Sequence, residues 1–151
     1  MYKKLIIFFA TGGYAGYFPA APGTVGTLWG IPLTLVLVRY DYPVRGILLL
    51  LLFFIAVWLS SSASKLLKSK DPSSIVVDEI VGFLTASLFV PTTVVNIVFI
   101  FLLFRFFDIV KLFPLGLIDR RIGGGLGIVL DDVMAGIYTI VVFSLTVLLF
   151  R

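Results

Sequence analysis

An uncharged stretch at residues 80–104 reads IVGFLTASLFVPTTVVNIVFIFLLF and carries Pro91-Thr92-Thr93 near its middle. Two interpretations are open, because a proline can kink a membrane helix without ending it. The stretch belongs either to one kinked helix or to two helices that meet in a turn at Pro91. Helices at 72–90 and 92–113 would each be long enough to span a bilayer, which takes roughly 20 residues.

The distribution of basic residues favours two helices. With a turn at Pro91 the chain crosses the membrane five times, and one side collects nine of the 12 lysines and arginines. One kinked helix would instead divide them evenly. Basic residues concentrate on the cytoplasmic side, so we expect the N-terminus in the cytosol and the C-terminus outside. The cytosolic set is Lys3, Lys4, Lys65, Lys68, Lys70, Arg105, Lys111, Arg120 and Arg121.

The overall composition indicates an integral membrane protein. Hydrophobic residues make up 60% of the 151 positions and charged residues 13%, whereas soluble domains carry roughly 25% charge. The other three spanning helices are predicted near 24–39, 46–64 and 133–150, where charges are absent or terminal. A chain of this length suits one domain. We therefore predict an all-α, polytopic membrane helix bundle, with about five embedded helices and a hairpin near Pro91, as a single domain over residues 1–151.

The chain contains neither cysteine nor histidine. This excludes disulfides, thiolate metal sites and phosphohistidine intermediates. Any hydrolytic chemistry must use carboxylates, hydroxyls and basic groups, and oxygen ligands suit magnesium or manganese better than zinc. The net charge of +4 comes without a dense basic cluster, so nothing indicates a nucleic-acid partner.

Five of the eight acidic residues lie where the five-crossing topology meets the cytosolic surface: Asp78-Glu79, Asp108 and Asp131-Asp132. Ionisable groups at a membrane are costly unless they are paired. Asp108 could form a local ion pair with Arg105 or Lys111. Adjacent acids repel each other unless a cation lies between them. The two acid pairs therefore predict a divalent metal site.

Glycines accompany these acids. Gly82 and Gly136 each follow an acid by four residues, on the same helix face, which favours close packing between helices. The segments PGTVGT at 22–27 and GGGLG at 123–127 precede predicted helices, where backbone N–H groups can bind phosphate. Loop geometry alone would also explain both segments. Asp71-Pro72 is typical of a helix start.

Four sequence blocks resemble the phosphatidylglycerophosphatase A family. They are ATGG (10–13) with FPAAPGTVGT (18–27), DP (71–72) with VDEIVG (77–82), FRFFDIVK (104–111), and residues 119–136, which include GGLGI and DDVMAG. Their order along nearly the whole chain makes the resemblance more specific than any single block. Leu112 departs from the family pattern, which usually has proline after the lysine.

The resemblance implies Mg²⁺-dependent hydrolysis of phosphatidylglycerophosphate to phosphatidylglycerol and phosphate. It also implies a multi-pass protein of the bacterial cytoplasmic membrane whose active site faces the cytosol. The implied metal ligands, one of which could be the base, are Asp78, Glu79, Asp131 and Asp132, with Asp108 as a further ligand or the base. The implied phosphate contacts are Arg105 and Lys111, with Thr24, Thr27, Gly124 and Gly125 as further donors.

A small cation or proton transporter is the alternative, because intramembrane carboxylates and broken helices also mark ion pathways. Against a transporter, the predicted topology gathers the acids at one membrane face rather than near the midplane. An enzyme acting on a lipid headgroup is therefore favoured.

Overall fold

The computed structural model describes residues 2–111, 113 and 122–150, and these residues form six α-helices with no β-strand among them. The helices are α1 (Tyr2–Ala10), α2 (Pro22–Leu37), α3 (Tyr42–Leu67), α4 (Val77–Ser87), α5 (Val94–Val110) and α6 (Gly124–Leu149). The predicted all-α class is confirmed.

The chain leaves the helical conformation at residues 88–93, between α4 and α5. Thr93 caps α5, since its hydroxyl accepts a hydrogen bond from the Asn96 N–H at 3.2 Å. The Asn96 side-chain amide donates to the Pro91 carbonyl at 2.9 Å, which fixes the turn to the first turn of α5. The two helices contact each other. The predicted hairpin near Pro91 is therefore confirmed, and the single kinked helix is wrong.

The predicted helix start at Asp71-Pro72 is also wrong, because α4 begins at Val77. Residues 68–76 form a loop whose backbone donors are satisfied outside a helix. The Ile75 N–H donates to the Pro72 carbonyl at 2.9 Å, and the Val76 N–H donates to the Ala10 carbonyl at 3.0 Å. As a result α4 has only 11 residues, about 16 Å at 1.5 Å per residue. That is about half the hydrocarbon thickness of a bilayer.

Two further boundaries differ from the sequence-based expectation. The last helix begins at Gly124, inside the GGGLG segment that was expected to precede it, so Asp131 and Asp132 lie about two turns into α6. The N-terminal helix α1 was not predicted at all. It packs on α3 through a buried cluster that contains Ile6, Ala10, Leu59 and Ala63.

The short helix α4 lies at the centre of the bundle, where it contacts α2, α3, α5 and α6. Glycine allows its close approach to α6. A Cβ atom on Gly82 would lie 2.7 Å from the Asp132 carbonyl oxygen, and one on Gly136 would lie 3.0 Å from the Thr85 Cβ. The predicted packing of Gly82 and Gly136 beside the acids is confirmed, and it holds the first turn of α4 against α6.

Two helices, α3 and α6, are long and apolar enough to cross a membrane. In each, only 28% of the most apolar 18-residue window is buried, so most of that surface faces outward. Helix α2 is apolar but shorter, with 16 residues. By length and composition the described residues thus contain two candidate spans, fewer than the five embedded helices expected from the sequence.

Candidate active site

The five acids predicted to act together come from three helices that meet at one end of the bundle. Asp78 and Glu79 lie in the first turn of α4. Asp108 lies in the last turn of α5, and Asp131 and Asp132 follow about two turns after the start of α6. The antiparallel course of α4 and α5 brings the start of the first helix beside the end of the second. The three sequence-distant acidic segments therefore converge in space.

The carboxylates form two overlapping groups. Asp78, Glu79 and Asp132 each offer one ligand oxygen, and these oxygens lie within 4.8 Å of one another. Asp108, Asp131 and Asp132 form a second group by the same measure, so Asp132 belongs to both. Oxygen atoms at such separations can surround a hard divalent cation. The arrangement can accommodate one ion in each group.

The hydrogen bonding of the acids fits a cation. Asp78 Oδ1 and Glu79 Oε2 are buried and accept no hydrogen bond within the described part of the chain. Buried polar atoms without a partner are rare and call for an explanation such as an ion. The donor set contains only carboxylates, which matches the preference of Mg²⁺ and Mn²⁺. The residues present therefore fit the predicted metal.

Burial also perturbs the two acids at the start of α4, which lie outside the two candidate spans. Burial raises the pKa of Asp78 to about 6. It also raises the pKa of Glu79 well above its ordinary value, and the negative charge of Asp78 raises it further. Both shifts express the cost of placing adjacent carboxylates in a site of low polarity. A bound cation would offset that cost.

Two basic side chains lie among the acids. Arg105 Nη1 donates to Asp108 Oδ2 at 2.5 Å, so the local ion pair considered for Asp108 is present. Lys111 Nζ pairs instead with Asp131 Oδ2, also at 2.5 Å. The Arg105 Nε is buried without a hydrogen-bond partner among the described residues. The site therefore combines a set of acids that can surround a cation with basic groups that can donate to an anion.

A cavity of about 270 Å³ joins these groups. All five acids, Arg105 and Lys111 line it, together with residues from the start of α2, from the loop before α4 and from α6. These further lining residues are Ala21, Pro22, Gly23, Asp71, Pro72, Ser73, Ile75 and Ile128. The site was predicted as a set of acids and bases, and the structure encloses that set in one cavity.

Among the further lining residues, Gly23 was predicted only as part of the 22–27 segment and Asp71 only as part of a helix start. Gly23 leaves no room for a side chain, because a Cβ there would overlap the Glu79 carboxylate and lie 3.1 Å from Arg105 Nη1. Asp71 was interpreted as a helix cap but lines the cavity from the loop. Both belong to sequence blocks that carried the family resemblance, and that was the available signal.

Of the four predicted phosphate donors, only Thr27 contacts a residue of the cavity lining through its side chain. Thr27 is buried, donates to the Gly23 carbonyl at 2.8 Å and accepts from Arg105 Nη1 at 3.5 Å. Thr27 does not line the cavity, and neither do Thr24, Gly124 and Gly125. The Gly125 N–H donates to the Ser61 hydroxyl of α3 at 3.1 Å, so that donor is used in helix packing.

The segment between α5 and α6 carries other residues of the family blocks. Pro114, Asp119, Arg120 and Arg121 lie outside the described residues.

Comparison with known proteins identifies the family. A family model described as phosphatidylglycerophosphatase A matches residues 8–147. The chain belongs to this family. A phosphatidylglycerophosphatase A of Escherichia coli (strain K12) is 33% identical over 129 residues, covering 85% of this chain and 75% of that protein. The phosphatidylglycerophosphatase A of Haemophilus influenzae is 36% identical over 135 residues, covering 88% of this chain and 83% of that protein.

Another relative carries a different name. A putative phosphatidylinositol-3-phosphatase of Bacteroides thetaiotaomicron is 36% identical over 152 residues, covering 93% of this chain and 92% of that protein. No solved structure matches the chain. The family resemblance seen in the sequence blocks is thus confirmed over nearly the full length.

Proposed function

We propose that this chain is a membrane phosphatase that hydrolyses the terminal phosphomonoester of phosphatidylglycerophosphate, giving phosphatidylglycerol and inorganic phosphate for phospholipid biosynthesis. The observation that carries the proposal is the cavity in which two carboxylate groups lie beside Arg105 and Lys111. Membership of the phosphatidylglycerophosphatase A family supports the choice of substrate. Carboxylates bind a hard cation, and guanidinium and ammonium groups bind phosphate.

We assign Mg²⁺ as the cofactor on the basis of the all-carboxylate donor set. Asp78, Glu79, Asp131 and Asp132 would hold it, and Asp108 is a further ligand or the general base. When bound, the ion neutralises charge on the phosphate oxygens and makes water a better nucleophile at neutral pH. The chain's own acids contribute by orienting that water and accepting its proton.

In the proposed complex, the phosphate would lie beside two ion pairs that are already formed. Arg105 is paired with Asp108, and Lys111 with Asp131. A divalent cation shared by the acids would compensate the charges of Asp108 and Asp131 instead. The guanidinium and ammonium groups would then donate to the phosphate oxygens. Hydrogen bonds between a charged donor and a charged acceptor are stronger than those between neutral groups. The Thr27 hydroxyl accepts a hydrogen bond from Arg105 Nη1 at 3.5 Å, which helps to orient the guanidinium.

We further propose that the protein is embedded in the bacterial cytoplasmic membrane with the site facing the cytosol. The charge distribution supports this orientation, with nine of 12 basic residues on one side. The two apolar helices α3 and α6 support membrane crossing. In the five-helix arrangement, the short helix α4 would be held within the membrane by its neighbours rather than by its own length. The lipid headgroup would then meet the acids at the membrane surface.

The test is release of inorganic phosphate from phosphatidylglycerophosphate in vesicles by the purified protein at saturating Mg²⁺. We expect release that stops in excess chelator and returns when Mg²⁺ is restored. Failure to release phosphate would refute the proposed reaction, and unchanged release in chelator would refute the metal assignment. Ion flux across the vesicle without phosphate release would support the transporter alternative.

The Bacteroides relative is named for a different phospholipid, so the headgroup preference of this chain should be tested directly. Phosphatidylinositol 3-phosphate should be offered to the same preparation at equal surface concentration. We expect a higher kcat/KM for phosphatidylglycerophosphate, since the family model and two relatives are named for its hydrolysis. Preference for the inositol lipid would reassign the substrate while keeping the reaction class.

A further inference from the structure

The two carboxylate groups of the acidic cavity differ in what balances their charge. The α4 group consists of Asp78, Glu79 and Asp132, and the α5 group consists of Asp108, Asp131 and Asp132. Two ion pairs lie in the α5 group, since Arg105 donates to Asp108 and Lys111 to Asp131, each at 2.5 Å. Within the described residues, no basic side chain forms an ion pair with any of the three acids of the α4 group.

The α4 group therefore depends on a cation from outside the protein. Asp78 is 7% exposed and Asp132 is 4% exposed, so water screens little of their charge. Asp78 Oδ1 and Glu79 Oε2 are buried and accept no hydrogen bond from the described residues. A buried carboxylate oxygen without a donor is costly, and a hard divalent cation removes that cost. The α4 group can thus bind one cation without any change in the ion pairs.

The α5 group already holds two positive charges of the protein, the guanidinium of Arg105 and the ammonium of Lys111. The Asp131 side chain is only 6% exposed, and the side chains of Arg105 and Asp108 are each 15% exposed. Removing one partner from a buried pair leaves the other charge without compensation, which is strongly destabilising. A metal ion that enters the α5 group must take the place of both bases. The group is therefore closed to a metal ion while the bases remain.

A bound phosphate changes this balance. Six acids and two bases line the cavity, so the formal charge of the lining is −4. One divalent cation leaves −2, which repels a phosphomonoester, because that group itself carries about −1.5 to −2 at pH 7. A second divalent cation leaves the lining neutral. The phosphate also attracts Arg105 and Lys111 to its own oxygens, and this frees Asp108 and Asp131 for the second ion.

We propose that the cavity binds two divalent cations in a fixed order, the first in the α4 group alone and the second in the α5 group only together with a phosphate. Arg105 and Lys111 occupy the second position until the phosphate arrives, and Asp132 contributes to both ions. The inference rests on the proposed function, because it takes a phosphate as the ligand and Mg²⁺ as the cation. Since coupling between binding sites is reciprocal, the phosphate and the second cation strengthen each other's binding by the same factor.

The experiment counts the ions bound to the purified full chain. Mn²⁺ replaces Mg²⁺, because carboxylate ligands suit both, and electron paramagnetic resonance measures the Mn²⁺ that stays free. Titrations are run without and with saturating inorganic phosphate, and protein-free blanks give the Mn²⁺ that phosphate itself binds. We expect one tightly bound ion per chain without phosphate and two with it. The Kd of the second ion should fall by about tenfold when phosphate is added, as is usual for coupled sites.

Lys111→Met tests the closed α5 group without any phosphate. The substitution removes the ammonium from Asp131, so this variant should bind two ions in the absence of phosphate. Lys65→Met is the matched control, because Lys65 is an exposed lysine in the last turn of α3 and does not line the cavity. The control should bind one ion without phosphate, as the wild type does. Asp78→Asn should lose the ion that binds without phosphate.

Three results would overturn the inference: two tight ions in the wild type without phosphate, one ion in the presence of phosphate, or a single ion in Lys111→Met. Phosphate release from phosphatidylglycerophosphate at saturating Mg²⁺ is measured on the same preparations. Release by a protein that binds one ion under every condition would refute the ordered binding alone. Ordered binding of two ions without release would refute the proposed reaction alone.

Discussion

Substitution of Gly23 by alanine should separate the catalytic geometry from the stability of the fold. The new methyl group would overlap the Glu79 carboxylate and lie 3.1 and 3.2 Å from the two terminal nitrogens of Arg105. Both groups are the ends of flexible side chains, so they can withdraw without displacing a helix. The carboxylate must move by about 1 Å to reach an ordinary van der Waals separation. The cost should therefore fall on the site.

Misplacement of a catalytic group by about 1 Å can reduce activity by about 100-fold. We therefore expect kcat/KM for phosphatidylglycerophosphate to fall by about 100-fold, equivalent to about 2.7 kcal/mol of transition-state stabilisation. Thermal stability should stay equal or rise, because alanine in a helix is favoured over glycine by roughly 0.5–1 kcal/mol. The assay is phosphate release at several lipid concentrations, with thermal unfolding measured on the same samples.

Gly46→Ala is the matched control. It is the same substitution in α3, and a Cβ at Gly46 would meet no atom within 4 Å. We expect this variant to keep wild-type activity. The reasoning would be refuted if Gly23→Ala were as active as Gly46→Ala, or if Gly23→Ala lost activity only because it unfolded at the assay temperature.

Further predictions concern the charged residues. Four amide substitutions should each nearly abolish turnover and raise the unfolding temperature in chelator, because they relieve charge repulsion: Asp78→Asn, Glu79→Gln, Asp131→Asn and Asp132→Asn. Asp132→Asn should lower turnover the most, since Asp132 belongs to both carboxylate groups. Asp119→Asn is the comparison and should keep most activity. Arg105→Ala should raise the KM for the lipid and leave the Kd for Mg²⁺, measured by calorimetry, largely unchanged. Loss of Mg²⁺ binding in this variant would contradict the assignment of Arg105 to the phosphate. Mg²⁺ at about 100 times its Kd should stabilise the wild-type fold by about 2.7 kcal/mol in denaturant titrations, and no stabilisation would contradict a metal site.

The helical hairpin and the gathering of the five acids could be predicted because each had a strong and simple signal. Charge asymmetry across the membrane distinguished a turn at Pro91 from a kink. Adjacent acids in an apolar chain indicated a shared cation before any geometry was known. The two glycines beside the acids were predicted for the same reason, since a small residue four positions from a charge marks a closely packed face.

The errors came from signals that are ambiguous locally. Asp71-Pro72 has the chemistry of a helix start, but tertiary contacts decide the outcome: the loop before α4 hydrogen-bonds to the end of α1 through Val76 and Ala10. Nothing in the loop sequence specifies that partner. The role of Gly125 was equally hidden, because its N–H is satisfied by Ser61, 64 residues earlier in the chain. Such pairings depend on how the helices are arranged.

The position of α4 has a consequence for how the protein is made. Helix α4 is too short to span a bilayer alone, and it packs most extensively against α6, which is synthesised after the other described helices. Two of the five acids also arrive with α6. We expect a nascent chain whose α6 has not yet left the ribosome to lack both a stably packed α4 and a complete acidic cavity. Hydrolytic competence would therefore appear late in biogenesis, after the remainder of the bundle has already entered the membrane.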